Sequence, residues 1–257
     1  MNKISVILNG YKRRLQLDEQ LAAINNQTVK PDEILLWYNN PGDDSLINYD
    51  IMKKIPTALC NVNFGVWSRF AYALNCSHEY ICIFDDDTIP GRKWLENCLN
   101  TINNVNGLLG TVGLLYTIPL PNQHDKCSYF EHYIRFGWPH NNKYVQQVDF
   151  VGHSWFFKKE WLSYFWFEQP NPIFKTCGED MHFSYMLQKH LGINTFVPPH
   201  PHNDKEMWGS IKGTEYGSKH SLWVEGPENQ KQLLHQFFNT QRKNGWKLVM
   251  DDNYNRN

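Results

Sequence analysis

Apolar positions in the first 120 residues fall in short runs separated by stretches of helical spacing. Ile4–Leu8 (ISVIL) is a β-branched run closed by Asn9-Gly10, the pattern of a buried strand entering a loop. Leu15, Leu17, Leu21 and Ile24 then follow mostly helical spacing, and Asn25-Asn26 close that segment. After Pro31, Glu33–Tyr38 (EILLWY) predicts a second strand that ends in the turn chemistry of Asn39-Asn40-Pro41-Gly42. Thr57–Val62 predicts a third strand, followed by Asn63-Phe64-Gly65 and a helix over Val66–Cys76. Tyr80–Phe84 (YICIF) predicts a fourth strand that runs directly into Asp85-Asp86-Asp87. A helix over Arg92–Ile102 and a strand over Leu108–Thr117 complete the alternation.

Alternating strands and helices predict an α/β fold with a mostly parallel, Rossmann-like sheet flanked by helices. In such sheets ligands sit beyond the carboxyl ends of the strands. Four loops are expected to meet there: Asn9–Tyr11, Asn39–Asp44, Asn63–Gly65 and Asp85–Asp87.

The second half is less regular. Val145–Phe157 predicts one long or bent strand with a kink at Gly152. Helical signals follow in Lys159–Phe165 and Asp180–His190, the latter stopped by Gly192. Val197–Gly226 has no clear period and is expected to fold back as a loop over the site, before an amphipathic helix near Glu228–Asn244. There is no internal repeat and no low-complexity linker. One domain spanning 1–257 is expected, with a ligand-binding half (1–118), a second half with a lid loop (119–226), and a C-terminal helix and tail (227–257).

The 257 residues suffice to bury a core without staples. Aromatic residues are abundant (10 Trp, 13 Tyr, 15 Phe), which suits a core and also a cleft that stacks on rings. The formal net charge of −1 gives no general attraction to nucleic acid or anionic membrane, although Lys12-Arg13-Arg14 is a local basic cluster. Six cysteines without a CxxC pair read as buried free thiols. The Ile4–Leu8 run is too short for a signal sequence or membrane span, and no later stretch approaches the roughly 18 apolar residues a span needs. A cytoplasmic protein is the expectation.

Chemistry concentrates in two acidic motifs. Three adjacent carboxylates at a strand end repel one another, and an oxygen-preferring cation such as Mn²⁺ or Mg²⁺ relieves that repulsion while bridging to a diphosphate. The competing reading is a turn with a helix cap before Pro90. Cys177-Gly178-Glu179-Asp180 places two more carboxylates at the start of a helix, where the dipole favours them. An ordinary cap explains that placement, and so does a general base facing a bound substrate.

With these motifs in order, the sequence resembles a GT-A glycosyltransferase, similar to the large inverting family 2 and more distantly to the exostosin-like domains. The resemblance rests on ISVILNGYKRR, on NVNFGVWSRFAYALNCSHEYICIFDDDTIP with its DxD strand, on VDFVGHSWFFKKEWL, and on GED, together covering roughly residues 3–190. It implies transfer of a sugar from a nucleoside-diphosphate sugar, UDP-sugar favoured, to an acceptor hydroxyl. Asp87 would hold the metal and Asp85 would contact the ribose or a metal-bound water. Asp86 would support the nucleotide or the loop, and Asn9, Tyr11, Asn39 and Asn63 would surround the base and ribose. Arg69 would face the nucleotide or diphosphate, Asp180 would be the general base, and Glu179 would bind the acceptor or orient the site. Two departures from the family pattern blur the base pocket: NGYKRR in the first loop, and WYNNPGDD where an acid commonly holds the base.

The late histidines His200 and His202 sit where several enzymes of this fold bring a histidine to the metal, and His202 is carried as a second candidate ligand. His153 reads as a core or acceptor-side residue. Trp155 and Trp208 could stack on a sugar or simply pack, and Trp208–Ser218, with Lys212 and Lys219, is a candidate lid over the diphosphate. Direct displacement with inversion is the expected mechanism. The rival readings are a retaining transferase of exostosin type, a nucleotidyltransferase, and a non-catalytic sugar-binding module. The acceptor could be a glycan, a protein, a lipid-linked sugar or a hydroxylated base in DNA.

Overall fold

A computed structural model describes residues 3–117, 129–169, 171–212, 216 and 228–254. Nine strands form one sheet in the order β3-β2-β1-β4-β8-β5-β9-β7, with β6 added beside β5. They are β1 (Ile4–Gly10), β2 (Glu33–Tyr38), β3 (Thr57–Leu59), β4 (Tyr80–Phe84), β5 (Leu108–Tyr116), β6 (Tyr133–Gly137), β7 (Gln146–Val148), β8 (Phe150–Lys158) and β9 (Thr195–Val197). The helices are α1 (Arg14–Asn25), α2 (Tyr49–Met52), α3 (Ser68–Tyr72), α4 (Trp94–Val105), α5 (Leu162–Phe165), α6 (Glu179–Leu191), α7 (Gln230–Lys243) and α8 (Val249–Tyr254).

The strands β3, β2, β1 and β4 pair in parallel, as the alternation predicts. β5 does not continue that ladder directly. β8 inserts between β4 and β5 and runs antiparallel to both, so β5 keeps the common direction one strand further on. β9 is parallel to β5, whereas β6 and β7 run against their neighbours. The carboxyl ends of β1, β2 and β4 thus lie on one edge, together with the start of β8 and the end of β5.

The expected single strand over Val145–Phe157 is broken at Asp149. Its amide donates to the Leu114 carbonyl, and its carboxylate accepts from the amides of Tyr116 and Val249 at 2.7 Å each. The break separates β7 from β8 and anchors the start of α8. Beyond Gly152 the β5–β8 register slips by one residue, and His153 takes a left-handed φ of 64°. The kink predicted at Gly152 is therefore a bulge whose extra residue is its neighbour.

Side-chain alternation splits the core into two layers. Ile81, Ile83, Trp155 and Phe157 face α3, α5 and α6, where Phe70 stacks on Phe165 at 4.5 Å and meets Trp155 and Phe183 edge-on. Cys82 and Phe156 face the other way, where Cys82 lies against Trp94 of α4. Cys60, Cys76, Cys82, Cys98 and Cys177 are buried free thiols, while Cys127 lies outside the described residues. No helix among the described residues is long and apolar enough to cross a membrane.

Phe70 is fully buried at a junction with three other aromatic rings, those of Trp155, Phe165 and Phe183. Phe70→Ala removes that junction and leaves a cavity, so urea unfolding should show a loss of about 3–5 kcal/mol.

Candidate active site

The acidic triplet emerges where β4 ends. Asp85 begins the turn, with its amide donating to the His153 carbonyl of β8 at 2.9 Å. Thr88 donates its hydroxyl to the same carbonyl at 3.0 Å, and Gln20 of α1 donates to the carbonyls of Asp85 and Thr88 at 2.7 Å each. Backbone and side-chain donors therefore hold the turn before any ligand arrives.

The carboxylates of the triplet meet two arginines and an imidazole. Asp85 Oδ1 accepts from Arg69 of α3. Asp86 is buried and accepts from Arg13, whose second terminal nitrogen lies 3.5 Å from Asp87 Oδ2. Asp87 Oδ1 lies 3.7 Å from His153 Nδ1. Burial holds the Asp86 carboxyl up at about 6: the Arg13 charge pulls it down, and its two acidic neighbours push it up.

Asp85, Asp87 and His153 each offer a ligand atom, and those atoms lie within 4.8 Å of one another. Two carboxylates and an imidazole suit Mn²⁺, and the carboxylates suit Mg²⁺. The fit extends to the oxygens left over. Arg69 takes Oδ1 of Asp85, while Arg13 approaches Oδ2 of Asp87 and leaves its Oδ1 to His153 and a long, 3.4 Å hydrogen bond from the Thr88 hydroxyl, so neither arginine covers both oxygens of its acid.

His202 stands outside this group; it is exposed on its loop. His200 is a core residue. Its Nδ1 pairs with the Pro198 carbonyl at 2.8 Å, its Nε2 accepts from the Gly209 amide at 3.1 Å, and burial lowers its pKa to about 4. The imidazole at the acids comes instead from His153, aimed there by the β8 bulge. A glycine beside a polar residue inside an apolar run was the available signal.

The second acidic motif arrives by α6. Gly178 turns the chain into this helix at φ 89°, and a side chain there would strike the Phe237 ring at 2.7 Å. Glu179 is buried and bonds Arg69 Nη2 at 2.5 Å. Arg69 therefore joins Asp85 to Glu179, with its guanidinium 4.5 Å from the Trp155 ring centre. The structure spends this arginine as a strut between the two acidic motifs. Trp155 itself packs and donates to the Val151 carbonyl, so it presents no ring for a sugar.

Asp180 is less constrained. Oδ1 accepts from the Met181 amide at 2.7 Å, while Oδ2 faces Gly152, where a side chain would begin only 3.9 Å away. Burial, then the Glu179 charge, pushes the Asp180 carboxyl up to about 8.

At the far side of the site, the predicted base-pocket residues stitch loops together. Asn9 Nδ2 donates to the Phe84 carbonyl at 2.5 Å, joining the ends of β1 and β4. Asn39 donates to the Gly65 carbonyl at 3.0 Å and accepts from the Phe64 amide, while Asn63 accepts from the Gly65 amide at 2.8 Å. The three amides hold the rim in place, and half-buried Tyr11 beside Lys12 leaves an aromatic surface there.

Arg13, read in the sequence only as part of a basic cluster, proves central. Besides the acids it reaches the Tyr216 carbonyl at 3.2 Å. Tyr216 in turn donates its hydroxyl to Glu19 at 2.5 Å, and Lys212 pairs with Glu19 at 2.6 Å. The described part of the candidate lid thus rests on α1 and the first loop. Trp208 packs and donates to the Pro201 carbonyl at 2.8 Å; Lys219 lies outside the described residues.

No family model matches the chain, and no curated protein matches it in sequence. Solved structures do. TarS from S. aureus aligns at TM-score 0.51 and 15% identity, over 77% of this chain and 36% of that one. Residues 1–349 of TarS in complex with UDP align at TM-score 0.54 and 13% identity, over 77% of this chain and 58% of that one. The UDP-GlcNAc complex of the same fragment aligns at TM-score 0.51 and 14% identity, over 92% of this chain and 71% of that one. The chain spans about a third of the longest of these TarS chains. At such identities the likeness is one of fold and does not single out family 2: this chain has the GT-A-type glycosyltransferase fold.

Proposed function

We propose that the chain is a glycosyltransferase that moves a sugar from a nucleoside-diphosphate sugar to an acceptor hydroxyl, with inversion at the anomeric carbon. One observation carries the reading. The Asp85–Asp87–His153 group lies at the carboxyl edge of the sheet, and Arg69 ties its Asp85 to Glu179, the residue before Asp180, so that the Asp180 carboxyl feels the charges of Arg69 and Asp85. The UDP and UDP-GlcNAc complexes of TarS favour a UDP-sugar as donor.

Asp85, Asp87 and His153 would hold a divalent cation, Mn²⁺ or Mg²⁺. When bound, such a cation offsets the charge that grows on the leaving nucleoside diphosphate. Asp180 takes the proton from the acceptor hydroxyl as its oxygen attacks the anomeric carbon and the bond to the diphosphate breaks. The Met181 amide fixes one oxygen of Asp180, and the gap at Gly152 leaves the other open to the acceptor. Glu179, neutralised by Arg69, positions the start of α6 and does not itself accept the proton. Asn9, Asn39 and Asn63 shape the nucleotide rim through their loops, with Tyr11 as its ring surface. Tyr216 and Lys212 fasten the described part of the candidate lid to Glu19 of α1.

Calorimetry with UDP and Mn²⁺ tests the cation group. Asp87→Ala and His153→Ala should each remove the Mn²⁺-dependent gain in UDP affinity, whereas His202→Ala should keep it; loss confined to the His202 variant would contradict the assignment. Turnover, followed as nucleoside diphosphate release, tests the base. Asp180→Asn should bind UDP normally and lose about 10²–10⁴ in rate. The base works only when ionised, so the wild-type rate should climb with pH and level off above about 8. That limb should vanish in the residual activity of Asp180→Asn. NMR of the first-formed product should show the inverted anomer, and retained configuration would rule out direct displacement.

A further inference from the structure

Buried and half-buried arginines in this fold sit on carboxylates, with one exception. Arg13 meets Asp86, Arg69 bridges Asp85 and Glu179, and Arg242 pairs with Asp251. Arg135 of β6 is half-buried, and among the described residues no carboxylate pairs with it. Its Nε is buried without a hydrogen-bond partner, as is that of Arg69, but Arg69 has two carboxylates at its terminal nitrogens. The ionisable groups whose fields reach it are the phenols of Tyr133 and Tyr129, and burial pulls its pKa below the ordinary value. An arginine keeps its proton regardless, so among the described residues the charge stands without a counter-charge. Leaving a cation in that position costs stability that a lone cation–π contact, here with the Trp138 ring at 5.7 Å, offsets only in part.

The position relates this charge to the site. Arg135 lies opposite Leu114 on the carboxyl half of β5, the edge where β4 and β8 present the acids and His153. The Trp138 ring is within reach of both, 5.4 Å from the His153 ring and 5.7 Å from the Arg135 guanidinium. Tyr129, within the field of Arg135, also feels the charges of Asp180 and Glu179. One aromatic ring therefore links Arg135 to the candidate cation group, and another links it to the candidate base. In the proposed function the diphosphate lies beside Asp85–Asp87 and Arg13, none of which pairs with Arg135.

We propose that Arg135, with Trp138 as the floor beneath it, binds an acidic group of the acceptor, a carboxylate or phosphate, so that the acceptor is an anionic sugar and not a neutral one. The planar fork of arginine matches either oxyanion with two parallel hydrogen bonds. The assignment rests on the glycosyltransferase reading for the word acceptor, while the anion site itself stands on Arg135 alone.

The test uses the whole chain and three probes: glucose, glucuronic acid and glucose 6-phosphate. Each is titrated with and without saturating UDP and Mn²⁺ and followed by NMR or Trp fluorescence. An acidic probe should bind at least roughly tenfold more tightly than glucose. The preference should survive saturation with UDP and Mn²⁺, fall away in Arg135→Gln, and return in part in Arg135→Lys. Equal affinity for acidic and neutral probes in the wild-type protein overturns the anion site, whatever the variants do. Displacement of the acidic probe by UDP and Mn²⁺ assigns Arg135 to the donor phosphates and overturns the acceptor role. If UDP and Mn²⁺ do not bind at all, the transferase reading fails, and with it the acceptor role; an acid preference lost in Arg135→Gln would still mark the anion site.

Discussion

The buried guanidinium of Arg69 is the interaction on which the rest of the site depends. It bonds Asp85 at the end of β4 and Glu179 at the start of α6, against the face of Trp155. Asp85 and Glu179 belong to elements almost a hundred residues apart, and both charges lie where water cannot fully solvate them. Without the arginine between them the two carboxylates would repel across a poorly screened gap, and the two halves of the site would have no reason to approach. With it, the acidic strand end and the acidic helix start become parts of one rigid arrangement. Arg13 acts similarly at Asp86 and Asp87 and extends the arrangement to the tail.

These pairings divide the acids by role. Asp86 and Glu179 are consumed by arginines. Asp85 gives one oxygen to an arginine and keeps the other, Asp87 turns Oδ2 to an arginine and Oδ1 to His153 with the Thr88 hydroxyl 3.4 Å away, and Asp180 gives one oxygen to a backbone amide and keeps the other. Free oxygens on groups that are themselves held in place are what cation binding and proton removal require. The β8 bulge adds the imidazole. An extra residue in that strand forces His153 into a left-handed backbone and turns its ring toward Asp87, while its carbonyl fastens the acidic turn from behind. A regular strand would have sent that side chain elsewhere.

The side proposed for the acceptor is built differently from the side proposed for the donor. The proposed nucleotide rim consists of amides that bond to backbone, so its shape is set before a ligand binds. The β6 side carries aromatic rings and a cation that pairs with no carboxylate among the described residues. On the proposed reading, the first side selects by shape and the second by charge.

Sequence alone determined the strand–helix order of the first half, the acidic turn after β4 and the carboxylates opening α6. These follow from periodicity, turn residues and helix-start preferences, which act within a few neighbouring residues. The burial of Cys60, Cys76, Cys82, Cys98 and Cys177 as free thiols was legible in their neighbours and in the lack of a CxxC pair. Tertiary structure decided the partners. That β8 separates β4 from β5, that Val145–Phe157 divides at Asp149, and that His153 supplanted His202 at the acids all depend on contacts between distant segments. Arg69, expected to face the nucleotide, was taken by two carboxylates because folding placed them both within its reach, and a buried charge binds the nearest opposite one.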